Sequence, residues 1–156
     1  MPELSSTGLV AAIDLGSNSF RLEICQAGEG QLQRVEYLKD TVRLGAGLDD
    51  MRQLDDAAMS RGWTSVARFA ERVRDLEPRA VRAVATATLR EALNREAFLS
   101  RAQSLLGLPI DVISGHEEAR LIWLAIMKSG DRAGRIQREM QSEWYAMAKR
   151  HLADRT

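Results

Sequence analysis

The sequence has little of several features that would point to particular classes of protein. It contains one cysteine, Cys25, among 156 residues, so an internal disulfide bond is impossible. It has no net charge, because 22 lysines and arginines balance 22 aspartates and glutamates. Nothing therefore indicates a disulfide-stabilised secreted scaffold or a basic field that attracts nucleic acid. Any bound anion must be held by a local site.

Long apolar runs are also missing. No run approaches the roughly 20 residues that a membrane-spanning helix needs. The N-terminal segment is polar (MPELSSTG) and lacks the basic start and apolar centre of a signal peptide. We therefore expect a cytoplasmic protein with no membrane or nucleic-acid partner. Its apolar content of 45% is ordinary for a globular protein, and its length suits one compact domain.

Hydrophobic patterns predict the order of strands and helices. Residues 9–15 form an apolar run typical of a buried strand, and residues 20–27 alternate like a half-covered one. A turn signal at 28–30 leads into a third strand over about 32–44. The later elements are a helix from Asp55 to Leu76, a strand at 80–87, a helix at 89–106 closed by Gly107, a strand from Pro109 to Ser114, and a helix at 117–127.

This order predicts an α/β fold with a mixed five-stranded sheet. Tight turns make the first three strands antiparallel, whereas helical crossovers make the last two parallel to the first. Helices flank the sheet. We expect this lobe to span residues 1–127. A polar linker at 128–135 and an amphipathic helix from Ile136 make up a separate segment, 128–156, of uncertain origin.

Polar residues follow three strands of the predicted sheet. They lie at 14–19 after the first strand, at 86–90 after the fourth and at 114–118 after the fifth. In open sheets with crossovers, ligands bind outside the carboxyl ends of the parallel strands. The sequence therefore predicts one binding site at this edge.

The first of these segments has two interpretations. Gly16, Ser17, Asn18 and Ser19 are common hairpin-turn residues, which favours a plain turn. A carboxylate at the end of an apolar strand is costly unless it is paired or binds metal, and Asp14 is such a group. A glycine-rich loop also offers N–H groups and hydroxyls to phosphate oxygens. The second interpretation is a phosphate site with Mg²⁺.

The other two segments also have structural alternatives. Thr86 or Thr88 suits the cap of a helix, but Arg90 in the predicted first turn opposes the helix dipole. An arginine directed at an anion would explain that position. Glu117 and Glu118 suit a helix start and point about 100° apart. One of them could face the cleft and deprotonate an attacking water.

Three segments resemble, in this order and spacing, the N-terminal domain of exopolyphosphatases and guanosine pentaphosphate phosphohydrolases. They are AAIDLGSNSFRLEI, RAVATATLREALNREAFLSRA and PIDVISGHEEARLIWLA, and the match covers about residues 9–126. The family belongs to the superfamily of actin, Hsp70 and sugar kinases, so the resemblance implies a ribonuclease H-like domain. It also implies a Mg²⁺-dependent hydrolase that removes terminal phosphate from polyphosphate or from guanosine pentaphosphate.

The resemblance assigns roles by position. It makes Asp14 a metal ligand and Glu118 the catalytic base, with Glu117 in support. The residues that it implies for phosphate binding are Gly16, Ser17, Asn18, Ser19 and Arg90, supported by Thr86.

The sequence departs from the family after Ala125. Family members continue into a second lobe with a phosphate loop, Asp-Ile-Gly-Gly-Gly-Ser, and no second Asp-x-Gly-Gly-Gly occurs here. We expect a chain that is weakly active or inactive alone, with a homodimer or a separate second-lobe chain as a possible partner. Two alternatives stay open, a nucleotide-binding kinase-like lobe and a non-catalytic interaction fragment.

Overall fold

The structure is a computed structural model, and it describes residues 8–28, 31–78 and 80–117. It begins with three antiparallel strands, β1 (Gly8–Leu15), β2 (Ser19–Gly28) and β3 (Gln31–Thr41). The third strand ends earlier than predicted because Arg43 adopts a left-handed conformation, with φ of 52°. The chain then forms a 3₁₀ segment over Leu44–Gly47.

The remaining elements alternate between helix and strand. They are α1 (Asp56–Leu76), β4 (Ala80–Ala85), α2 (Ala87–Glu91), α3 (Arg95–Leu106) and β5 (Ile110–Val112). The start of α1 is fixed by Asp55, whose carboxylate accepts the N–H of Ala58 at 2.7 Å. The end of α3 is fixed by Gly107, which adopts the left-handed conformation that glycine favours.

The sheet has five strands in the order β3-β2-β1-β4-β5. β4 pairs in parallel with β1, and β5 pairs in parallel with β4. The predicted mixed sheet is confirmed, with three antiparallel strands followed by parallel ones. Its central strand is β1, so the last residues of β1 lie between the first residues of β2 and the last residues of β4.

One face of the sheet forms the hydrophobic core with α1 and α3. Alternation along β1 and β2 turns Ile13, Leu15, Phe20 and Leu22 toward this core, where each is at most 1% exposed. The Phe98 ring of α3 meets the Phe20 ring edge-on at a centroid distance of 6.2 Å. The opposite face of β1 and β2 carries the polar side chains of the alternation, including Asp14, Arg21 and Glu23.

The predicted helix 89–106 is wrong in one respect, because the chain forms two helices, α2 and α3. The break follows from tertiary contacts of the connection at 92–94. The Asn94 side chain accepts the N–H of Leu54 at 2.9 Å and donates to its carbonyl at 3.0 Å. The N–H of Leu93 donates to the Arg52 carbonyl at 2.8 Å. These bonds hold the connection in a non-helical conformation.

A first compact unit ends at Val112, and a second begins at Ile113. In the described part of the second unit, the N–H of Glu117 donates to the Ser114 hydroxyl at 3.1 Å, as at a helix start. The rest of the predicted helix 117–127 and the segment 128–156 lie outside the described residues. The predicted boundary between residues 127 and 128 therefore stays a prediction. Within residues 8–117, so far as they are described, no helix is long and apolar enough to cross a membrane.

Candidate functional site

Asp14 lies near the carboxyl end of the central strand. It pairs with Arg21 of β2 and with Val84 of β4, on the sheet face opposite to the core residues Ile13 and Leu15. Its Oδ1 atom is buried and accepts no hydrogen bond from a described residue. Burial raises the pKa of this carboxyl group, and the positive charge of Arg21 offsets the increase in part. The structure therefore holds a desolvated acceptor at the end of β1.

Thr86 places a second unpartnered oxygen at the end of the neighbouring strand. Its N–H donates to the Leu15 carbonyl at 3.3 Å and so continues the pairing of β4 with β1. Alternation along β4 puts Thr86 on the side of Val84, which is the Asp14 side. Its side chain is 3% exposed, and the Oγ1 atom bonds to none of the described residues. Thr86 is the N-cap residue of α2, which confirms the position predicted for a cap, but its side chain makes no capping bond.

The loop between β1 and β2 is a tight hairpin, as the turn interpretation predicted. The N–H of Gly16 donates to the Ser19 carbonyl at 3.1 Å. A Cβ atom on residue 16 would lie 2.8 Å from that carbonyl oxygen, so the close approach requires glycine. The hairpin presents Ser17 and Asn18 at its tip, directly after the strand that carries Asp14.

Two residues of one distant segment, Arg43 and Gly45, fix the hairpin in place. The Asn18 carbonyl accepts the N–H of Arg43 at 2.9 Å, and the Ser17 carbonyl accepts the N–H of Gly45 at 2.9 Å. Because the C=O and N–H of a trans peptide point in opposite directions, the N–H of Asn18 points away from Gly45. The loop therefore directs carbonyl groups inward, toward the 3₁₀ segment, and leaves an N–H for a ligand.

A third bond reaches the hairpin from α2. The Thr88 hydroxyl donates to the Ser17 hydroxyl at 2.8 Å. Thr88 and the Arg43–Gly45 connection contact the hairpin although sequence reasoning did not place them in the site. A Cβ atom on Gly45 would lie 3.1 Å from the Thr88 Oγ1 atom, so the close approach of the two segments suits glycine. The sequence alone gives no sign that Thr88 faces Ser17, 71 residues away.

Arg90 occupies a different position from the one predicted. It lies in the last turn of the five-residue helix α2, where a cation is favourable to the helix dipole. The argument that its position needs an anion was therefore wrong. Its N–H donates to the Thr86 carbonyl at 2.9 Å, and its own carbonyl accepts the Arg95 side chain at 3.0 Å. Its implied role in phosphate binding rests on the family resemblance.

The structure brings together the residues of the first two polar segments. Asp14, the hairpin and Thr86 meet at the ends of β1 and β4, with Thr88 bonded to the hairpin. Glu117 belongs to the second unit, and Glu118 lies outside the described residues. The roles implied for these two glutamates stay predictions.

The donor set at the end of β1 fits Mg²⁺ bound together with phosphate. Mg²⁺ is commonly held by one or two carboxylates, with waters and substrate phosphates completing its octahedral shell. The buried, unpartnered Oδ1 atom of Asp14 is one such ligand. The described residues contain no cluster of three or more His, Cys, Asp or Glu side chains. Asp14 therefore suits a metal that is bound mainly through its substrate, rather than one held in a cage of protein ligands.

The burial of Asp14 predicts a pH-dependent effect of the Asp14→Asn substitution on stability. Since the folded-state pKa is raised, the charged form destabilises the fold above that pKa, whereas below the unfolded pKa the penalty is absent. In EDTA at about pH 7.5, the free energy of unfolding of the variant should exceed that of the wild type by on the order of 1 kcal/mol. The gain should disappear near pH 3, where Asp14 is protonated. Urea unfolding followed by circular dichroism measures both values.

The matched control is Asp111→Asn, which removes a carboxylate of β5 with an exposed side chain. It should change the unfolding free energy by less than about 0.5 kcal/mol at either pH. A lower stability of Asp14→Asn at neutral pH would show that the buried carboxylate has a stabilising partner.

The mixed sheet, with its polar hairpin after the central strand, defines a lobe of the ribonuclease H-like, actin-like ATPase fold. The model of the Ppx/GppA phosphatase family matches residues 23–136, which is most of the chain. The chain therefore belongs to the Ppx/GppA phosphatase family.

Solved structures agree with this assignment. The chain is 31% identical to the PPX-GPPA enzyme of Aquifex aeolicus, with a TM-score of 0.73, over 78% of this chain and 40% of that one. It is 25% identical to an exopolyphosphatase of Cytophaga hutchinsonii, with a TM-score of 0.70, over 74% and 37% of the two chains. An exopolyphosphatase-like protein is 33% identical, with a TM-score of 0.69, over 72% and 34%. The chain thus spans between 34% and 40% of the length of these proteins.

Proposed function

We propose that this chain is the phosphate-binding lobe of a hydrolase that removes the terminal phosphate from inorganic polyphosphate or guanosine pentaphosphate. The observation that carries the proposal is a pair of buried oxygens on adjacent strand ends, Oδ1 of Asp14 and Oγ1 of Thr86, neither of which bonds to a described residue. Buried polar atoms without partners are rare in folded proteins, and they mark places where a ligand completes the bonding. The hairpin next to them consists of glycine, serine and asparagine, whose N–H groups and hydroxyls can bind phosphate oxygens.

The hairpin supplies donors for phosphate oxygens. The N–H of Asn18 points away from the segment that anchors the loop, and the neighbouring residues Ser17 and Ser19 each carry a hydroxyl. Such an arrangement of N–H groups and hydroxyls suits an anion. The Thr86 hydroxyl, as a buried donor, adds a further bond to a phosphate oxygen or to a water beside Asp14.

Asp14 would hold Mg²⁺ in this site. When bound, the ion neutralises charge on the phosphate oxygens and polarises the phosphorus toward attack. The single carboxylate leaves most of the ion's coordination to waters and to phosphate oxygens. The chain itself contributes a fixed position for the ion, because Asp14 stands on the central strand of the sheet.

The reaction follows from the residues that the family resemblance implies. Glu118 accepts a proton from water, and the water oxygen attacks the terminal phosphorus. The bond from that phosphorus to the bridging oxygen breaks, so orthophosphate and a shortened phosphate chain leave. Arg90 balances negative charge on the phosphate groups, and Glu117 supports the base. Glycine, serine and asparagine in the hairpin hold the phosphoryl group in line with the water.

Polyphosphate and guanosine pentaphosphate share the feature that this site recognises, a terminal phosphoanhydride. The similarity to a protein called an exopolyphosphatase makes polyphosphate the first substrate to test. The sequence has no second Asp-x-Gly-Gly-Gly loop, so we expect the 156-residue chain to be weakly active on its own. A second lobe would exclude water and complete the charge stabilisation. A cytoplasmic location, predicted from the single cysteine, the polar N-terminal segment and the lack of long apolar runs, stays a prediction.

Phosphate release from long-chain polyphosphate and from guanosine pentaphosphate tests the proposal. In Mg²⁺, the chain should release orthophosphate above the rate of an Asp14→Ala control, and EDTA should abolish the difference. Tight ATP binding without phosphate release from either compound would favour the kinase-like alternative. A monomer without affinity for any phosphate compound would contradict the proposed function and the non-catalytic interaction alternative alike.

A further inference from the structure

The hydroxyls of Thr88 and Ser17 form a hydrogen bond between α2 and the hairpin, and Ser17 can donate to an outside group while Thr88 is the donor in this bond. Thr88 is 5% exposed and donates its one hydroxyl proton to the Ser17 oxygen over 2.8 Å. A hydroxyl donates one hydrogen bond and accepts two, so Ser17 is the acceptor in this pair and keeps its own proton. The remaining proton of Ser17 is available to a group outside the pair.

The surroundings of the pair hold the two hydroxyls next to each other. The Ser17 carbonyl is already bonded to the N–H of Gly45, which fixes the backbone from which the hydroxyl extends. The backbone of Gly45 lies so close that a Cβ there would be 3.1 Å from the Thr88 oxygen and 3.4 Å from the Ser17 Cβ. The three residues are thus packed together, and Thr88 has little room to turn away from Ser17.

The bond is not needed to hold the hairpin in place. Backbone bonds from Arg43 and Gly45 to the carbonyls of Asn18 and Ser17 already anchor it. A threonine that served only as an anchor would duplicate them. Thr88 additionally orients one proton, that of the Ser17 hydroxyl. This orientation affects binding only if a hydrogen-bond acceptor lies on the other side of Ser17.

We propose that Thr88 is a positioning residue that fixes the Ser17 hydroxyl as a donor to a phosphate oxygen. The inference rests on the proposed function, since it needs a phosphate beside the hairpin. A chain of hydrogen bonds from Thr88 through Ser17 to the anion polarises each member and strengthens the last bond. Without Thr88, the Ser17 hydroxyl rotates freely and loses entropy on binding.

Three substitutions test this role by titration calorimetry with tripolyphosphate in Mg²⁺. Thr88→Val keeps the shape and removes the hydroxyl, and it should weaken binding about 5- to 10-fold. Thr88→Ser keeps the hydroxyl and should bind within about 2-fold of the wild type. Ser17→Ala should weaken binding by at least as much as Thr88→Val. If Thr88→Val fails to fold, Thr88→Ala replaces it, because alanine fits the space that threonine fills.

The double variant separates positioning from a general structural effect. If Thr88 acts through Ser17, adding Thr88→Val to Ser17→Ala should cause no further loss of affinity. Equal binding by Thr88→Val and the wild type would overturn the proposal while leaving the proposed function intact. A loss of affinity from Thr88→Val that is equally large in the Ser17→Ala background would also overturn the proposal. A wild-type chain that does not bind tripolyphosphate would overturn the proposed function, and this inference with it.

Discussion

The Glu118→Gln variant is expected to release phosphate from polyphosphate about 100- to 10,000-fold more slowly than the wild type. Glutamine has the size and shape of glutamate, but its neutral amide does not accept a proton from water. The affinity for tripolyphosphate should change by less than about 3-fold, because Glu118 acts on the water and not on the phosphate groups. A loss in rate without a loss in binding is the expected signature of a general base.

The measurement uses protein in excess over end-labelled polyphosphate, so that a single turnover is visible even for a weakly active chain. The neighbouring Glu117→Gln is the matched control, and it should slow release by less than about 10-fold. Equal rates for Glu118→Gln and the wild type would show that the base has been assigned to the wrong residue. If Glu117→Gln slows phosphate release more than Glu118→Gln does, Glu117 is the base and Glu118 the supporting residue.

The Phe98→Ala substitution is expected to lower the free energy of unfolding by about 3 to 5 kcal/mol. Phe98 is fully buried between the two long helices and the sheet. Its ring stacks on Trp63 at a centroid distance of 6.0 Å, and the Trp63 indole N–H donates to the Phe98 carbonyl at 3.1 Å. Gly62 lets the ring lie on the backbone of α1, since a Cβ there would be 2.6 Å from the Phe98 ring. No neighbour fills the space that the substitution opens.

Urea unfolding followed by circular dichroism measures this loss. The control is Leu93→Ala, which removes a similar apolar side chain that is 65% exposed. It should change the unfolding free energy by less than about 0.5 kcal/mol. Similar losses for the two variants would contradict the packing of α1, α3 and the sheet around Phe98.

The sheet could be predicted from the sequence because its signals are local. Alternation in β2, the apolar run of β1 and the short turn signals determine strand direction, and helical crossovers determine the parallel pairs. The division between α2 and α3 could not be predicted in the same way. It depends on hydrogen bonds between Asn94 and Leu54, which are 40 residues apart. A continuous helical pattern gives no sign of such a partner.

The candidate site shows the same distinction between local and distant causes. Asp14 and the hairpin could be identified because a carboxylate ends an apolar strand and turn residues follow it. Thr88 and Gly45 could not be identified, because they contact the hairpin only through the tertiary packing of α2 and the 3₁₀ segment against it. The helix-dipole argument for Arg90 failed through the misplaced helix boundary, since a first turn became a last turn. The phosphate-binding role implied for Arg90 stays a prediction.

The central claim is that phosphate groups bind at the ends of β1 and β4. The most direct test is a titration of the ¹⁵N-labelled chain with tripolyphosphate in Mg²⁺, followed by amide chemical shifts. The largest changes should fall on residues 16–19 and 86–88, while the amides of α3 beyond residue 98 stay constant. Saturating shifts confined to other residues, or no shifts at millimolar tripolyphosphate, would contradict the claim.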